Sequence, residues 1–147
     1  MATPTEIVRR LEADRFAALL GACPKAFREQ LFRKSGIRAK GNTFALSSSS
    51  KTEVRAGKLL DAIKGGLDLG DDVLEEVIRN YLYTRRGLLA DALDHFNVPH
   101  EGGLTDADLD FIEELPPEKS QELKTLLVQK HDPADVELYF AFMNIRS

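Results

Sequence analysis

Asp132 to Ile145, "DPADVELYFAFMNI", decides whether this chain is all-helical or carries a sheet. Val136, Leu138, Phe140 and Phe142 alternate as a buried strand would, with period two. Yet Asp132-Pro133-Ala134-Asp135 places a capping carboxylate before a proline at the first helical position, which opens a helix apolar nearly all round. A strand needs partners, and the sequence offers at most one other candidate, Thr43-Phe44-Ala45-Leu46. The stretch is therefore read as helix.

Working back toward the N-terminus, the helical signals recur. Asp71 and Asp72 precede the pairs Val73/Leu74, Val77/Ile78 and Tyr81/Leu82, spaced four apart as one buried face requires. Leu88, Leu89, Ala92, Leu93 and Phe96 mark a further helix that ends before Pro99 and the Gly102-Gly103 turn. Thr105 is expected to cap the next, through Phe111, Ile112 and Leu115. Pro116-Pro117 restarts the chain into a helix with Leu123, Leu126 and Leu127. Thr3-Pro4-Thr5-Glu6 is a capping box with proline inside it, opening a helix with Ile7, Val8 and Leu11. Asp14 is placed as the cap of a second helix reaching Gly21, and Pro24 opens a third reaching about Lys34. Residues 37–50 lose periodicity around Gly41, Asn42 and Ser47 to Ser50 and read as an irregular basic loop or linker; a helix is expected from Lys51 to Gly65-Gly66. The expected fold is mainly α, a compact bundle of six to eight short helices in one domain over 1–147, with room for one short strand pair.

The 147 residues suffice for one buried core, and no apolar run approaches the length of about 18 residues that a membrane span needs. MATPTEIVRRLEADR carries charges where a signal peptide would be apolar, and a lone Cys23 forms no internal disulfide and no multi-thiolate zinc site. A cytoplasmic protein is expected. Its net charge of −4 hides an asymmetry. Residues 24–64 hold ten Lys and Arg against three acids, and residues 65–147 hold seven against 18. Such a division suits a nucleic-acid face joined to an effector portion, or two halves that attract each other.

Residues 16–37, FAALLGACPKAFREQLFRKSGI, contain Ala17 and Gly21 four apart and Phe27 six beyond the glycine. This spacing resembles the general helix-turn-helix pattern at about 14–36, departing from it where Cys23 stands at the cap of the second helix. The resemblance implies a DNA-binding regulator with Lys25, Arg28, Arg33, Lys34, Arg38 and Lys40 as candidate nucleic-acid contacts. The competing reading is a helical hairpin with a solvated basic face.

Other constellations lack parts. Gly36 to Thr43 has the glycine spacing of a P-loop with Asn42 in place of the phosphate-binding lysine, and Ser48 to Lys51 matches Ser-x-x-Lys without its companion motif. Asp106, Asp108 and Asp110 begin like a calcium loop, but Phe111 stands at the glycine position. Asp91, Asp94, His95, His100 and Glu101 form the one His-carboxylate cluster, in which His95 is one turn from Asp91. His131 is expected to complement the last carbonyls of its helix. No catalytic residue, cofactor or metal ligand is assigned. Tyr81, Tyr83, Arg85 and Arg86 are candidate protein-interface residues, because aromatic and arginine side chains concentrate at interface centres. The leading expectation is a non-enzymatic regulatory or adaptor protein acting through helix-mediated protein association, with a protein partner, no membrane, and a homo-oligomer compatible with it; DNA is the alternative partner.

Overall fold

Thr3 does what its capping box predicts. Its hydroxyl accepts the Glu6 amide at 3.2 Å, Pro4 opens α1 (Pro4–Arg9), and Ile7 and Val8 turn inward. The computed structural model describes residues 3–35 and 49–145, with the backbone alone for 49–53. Among the described residues there are nine helices and no strands, so the chain is mainly α. Two compact units divide it, residues 3–81 and residues 82–145.

In the first unit, α2 (Ala13–Gly21) buries Phe16, Leu19 and Leu20 on one face. Its N-cap is Glu12, which makes no side-chain cap, and Asp14 lies inside the first turn where its charge suits the helix dipole; the expected Asp14 cap is corrected to that position. After α3 (Lys25–Ser35) comes α4 (Ser49–Lys64), the element on which α1 and α2 both pack, through Ala56, Leu59, Leu60 and Ile63. Arg9 Nε donates to the Ile63 carbonyl at 3.1 Å, satisfying one carbonyl near the end of α4. In α5 (Asp71–Tyr83) Leu74, Val77, Ile78 and Tyr81 are buried at the expected spacing, and Asp71 accepts both the amide and the hydroxyl of Thr5. The candidate strand 43–46, the P-loop-like 36–43 and Ser48 lie outside the described residues.

The second unit contains α6 (Arg86–His95), the single turn α7 (Asp110–Glu113), α8 (Pro117–Lys130) and α9 (Pro133–Phe142). α8 packs on both α6 and α9. The ambiguous C-terminal stretch is helix: Asp132 Oδ1 accepts the Ala134 amide at 2.8 Å, and Val136, Leu138, Tyr139 and Phe140 are buried. Burial pushes the Tyr139 phenol up to about 12. Thr105 does not cap a helix. Its hydroxyl donates to the Pro99 carbonyl and accepts the Ala107 amide, while Asp108 accepts the Asp110 amide. These local side-chain bonds compete with helical ones, so the helix waits until Asp110.

Three helices stop in the same way. After α4, α6 and α9 a residue with positive φ, Gly66, Asn97 and Asn144, is followed by a backbone amide that reaches the carbonyl five residues back. Leu67 bonds Ala62, Val98 bonds Leu93 and Ile145 bonds Phe140, each at 2.9 Å. This Schellman closure favours glycine because a Cβ is strained there. Asn97→Gly is therefore expected to hold or raise the thermal midpoint, and Asn97→Ala to lower stability by about 1 kcal/mol. Ser120 on α8 is fully buried, and its hydroxyl has no hydrogen-bond partner among the described residues. Ser120→Ala is expected to raise unfolding free energy by about 1 kcal/mol in a denaturant titration, since a desolvated hydroxyl is removed without breaking a bond.

Candidate functional site

α3 carries four of the six basic candidates. Lys25, Arg33 and Lys34 are exposed, and Arg28 is half-buried; Arg38 and Lys40 lie outside the described residues. At 3.6 residues per turn, Lys25 and Lys34 fall about 180° apart around the helix axis. The cations thus spread around α3 and do not form one stripe. Leu31 and Phe32 face inward, and the Arg55 guanidinium of α4 lies 3.9 Å over the Phe32 ring. Burial above all lowers the Arg55 pKa from its ordinary value; Glu29 opposes the shift and Arg28 adds to it. α2 finds its principal packing partner in α4.

Cys23, at the turn between α2 and α3, is buried and its thiol donates to the Leu19 carbonyl at 3.5 Å. Burial pushes the thiol up to about 11, against the pull of Arg28. It fills space as a small apolar side chain. At pH 8 the folded chain should hold about a hundredfold less thiolate than the unfolded one, so iodoacetamide should modify it correspondingly slowly until denaturant is added. The same shift makes this thiol's contribution to stability full below about pH 9 and lost as the pH rises toward about 11.

The proposed interface residues separate on the structure. Tyr81 is only 3% exposed, with the Arg15 guanidinium 5.5 Å from its ring centroid, and so belongs to the core of the first unit. Tyr83 is 46% exposed. Arg86 Nε donates to the Tyr83 carbonyl at 2.9 Å, fixing the guanidinium beside the helix end. Arg85 instead forms a 3.1 Å ion pair with the buried Asp135 of α9.

The histidine cluster also resolves differently from its sequence spacing. Asp91 meets His131 Nε2 at 2.7 Å and not His95, and Asp94 meets His100 Nε2 at 2.7 Å. Gly103 donates its amide to His100 Nδ1 at 3.1 Å, which in the neutral ring leaves the proton on Nε2, pointing at Asp94. His131 lies at the C-cap of α8 and ties it to α6 through Asp91. Its expected service to the terminal carbonyls is therefore corrected to a long-range pair. Helical periodicity predicts partners one turn away and cannot see one 40 residues off. Among the described residues no group of three or more His, Cys, Asp or Glu is arranged to hold a metal ion.

Around these pairs the chain makes a tight turn. Glu101 and Leu104 exchange both backbone hydrogen bonds, with Gly102 at φ 58° and Gly103 at φ 90° between them. A Cβ on Gly103 would lie 2.8 Å from the Arg86 carbonyl and 2.9 Å from Leu89 Cβ. Beyond this turn, the Phe96 ring meets His95 and Phe111 edge-on, at centroid distances of 5.0 and 5.4 Å, and Phe111 is 41% exposed. Sequence periodicity places Phe111 with Ile112 on a helical stripe; in α7 Ile112 faces the core and Phe111 faces solvent. A shallow cavity of about 460 Å³ on α8 is lined by Glu118, Gln121, Glu122, Thr125, Leu126 and Gln129, all from that one helix.

Comparison with protein-family models, curated proteins and solved structures finds no match to this chain. No helix among the described residues is long and apolar enough to cross a membrane. Gly103→Ala should lower the unfolding free energy by about 2 kcal/mol or more, read in a urea titration, because both the positive φ and the backbone contact resist a side chain.

Proposed function

We propose that the protein is a non-enzymatic cytoplasmic regulatory or adaptor protein that works through helix-mediated association with another protein. The observation that supports this reading best is the exposed Tyr83 at the end of α5, with Arg86 held against its carbonyl. An aromatic ring and a guanidinium whose position is already fixed surrender little side-chain freedom on docking, which is what the energetic centre of an interface requires. Arg85 serves this surface indirectly, through its pair with Asp135, and Tyr81 serves the core.

The test is affinity capture from an extract of the producing organism, comparing the full chain with Tyr83→Ala and Arg86→Ala. Both substitutions change exposed side chains and should leave the helical circular dichroism intact. A discrete protein retained by the parent and reduced about tenfold or more by both variants is the expected result. Equal recovery by all three contradicts the assignment of these residues.

The exposure of Lys25, Arg33 and Lys34 on α3 favours a second reading, a DNA-binding regulator. Anisotropy with random duplex DNA at roughly 50 and 200 mM salt separates it from the first, because phosphate contacts release counterions. Binding that falls steeply with salt and again in Lys25→Ala and Arg33→Ala would establish nucleic acid as the partner. Absence of binding at the lower salt retires it.

A further inference from the structure

The exposed ring of Phe111 sits in a stretch of unusual charge. From Asp94 to Glu122 there are nine carboxylates, at 94, 101, 106, 108, 110, 113, 114, 118 and 122, against the single lysine Lys119, and all nine are exposed. Lys119 is itself 3.6 Å from Glu122, so its charge is already engaged. The carboxylates nearest Phe111 in the chain feel one another: Asp108 above all, then desolvation, Glu113 and Glu114, push the Asp110 carboxyl above its ordinary range. Carboxylates thus cluster in the chain just where an aromatic ring is left open to solvent. A solvated helix face explains acids alone, but it does not explain an exposed Phe111 ring stacked edge-on against the half-buried Phe96 between them.

We propose that the Phe96–Phe111 pair and its flanking carboxylates form a docking site for a basic amphipathic segment of a partner protein, which lays an apolar side chain on Phe111 and its Lys or Arg side chains against Asp108, Asp110, Glu113 and Glu114. Charge complementarity selects the occupant. A neutral apolar segment would leave the carboxylates uncompensated and an acidic one would be repelled, whereas a basic one gains long-range attraction and an apolar anchor together. The site rests on the reading of this protein as an association module, but it uses side chains other than Tyr83 and Arg86.

The probe is a fluorescein-labelled amphipathic peptide of leucine and lysine, about 18 residues long so that it forms several helical turns, with a leucine and glutamate peptide of the same pattern as its counterpart. Both are titrated into the full chain and read by fluorescence anisotropy. The lysine peptide should bind and the glutamate peptide should not; raising salt from roughly 50 to 200 mM should weaken the complex. Phe111→Ser should weaken it about tenfold or more, and the triple variant Asp108→Asn, Glu113→Gln, Glu114→Gln should both weaken it and flatten its salt dependence. Chemical-shift changes at Phe96 and Phe111 in the isotope-labelled parent locate the complex independently of how any variant folds. No binding of the lysine peptide overturns the proposal. So does binding that leaves the Phe96 and Phe111 resonances unmoved or is equally strong in folded Phe111→Ser, since charge alone would then hold the peptide. A failed peptide titration beside a retained Tyr83-dependent partner removes this docking site and leaves the wider reading standing.

Discussion

A carboxylate that leaves water must be compensated, and Asp135 is the described residue on which that demand falls most heavily. Its side chain is 8% exposed, in the first turn of α9. Two compensations converge there. The first turn of α9 supplies the positive end of the helix dipole, and Arg85 brings a guanidinium nitrogen to 3.1 Å. The consequence reaches beyond α9. Arg85 precedes α6 directly, so the ion pair joins the start of α6 to the start of α9, while α8 packs on both helices. Its neighbour Arg86 donates to the Tyr83 carbonyl at the surface.

The same unit shows how a short chain fixes its loops without a sheet. α6 ends on Asn97 in the left-handed region, and the turn after it passes so close to α6 that only a glycine fits at 103. His100 then receives the Gly103 amide and reaches Asp94, and His131 reaches Asp91. Both histidines are thus fasteners that tie α6 to later segments of the chain. The sequence groups His100 with Asp91, Asp94, His95 and Glu101, whereas the structure pairs it with Asp94 and gives Asp91 to His131. Local polar side chains then keep Thr105 to Leu109 out of a helix, and within α7 Phe111 faces water while Ile112 is buried.

Much of this architecture is legible in the residues because its signals are local. Thr3 and Asp132 cap through atoms two or three positions away, and the spacing of Leu74, Val77, Ile78 and Tyr81 needs only the helical period. The readings that needed correction depend on distant partners or on competition. Asp14 has the right chemistry for a cap but lies one residue past the start of α2. Thr105 has a capping hydroxyl that its loop uses first. The pairing of His131 with Asp91 spans 40 residues and leaves no mark in periodicity. Among the candidate site residues, Tyr81 and Tyr83 look equivalent in sequence and differ by which side of α5 meets the core. Arg38 and Lys40 lie outside the described residues.

Charge asymmetry gives the functional reading its setting: residues 24–64 are basic in sequence and residues 65–147 are acidic. What makes the C-terminal half a defined surface is the ordering of its helices around Arg85 and Asp135. A double-mutant cycle with Arg85→Ala, Asp135→Asn and the two together, read as unfolding free energy in urea, tests that dependence most directly. Each single variant should destabilise the fold, and the pair should show a coupling of about 1 kcal/mol or more, because loss of one partner strands the other. Additive effects, with no coupling, would contradict the account.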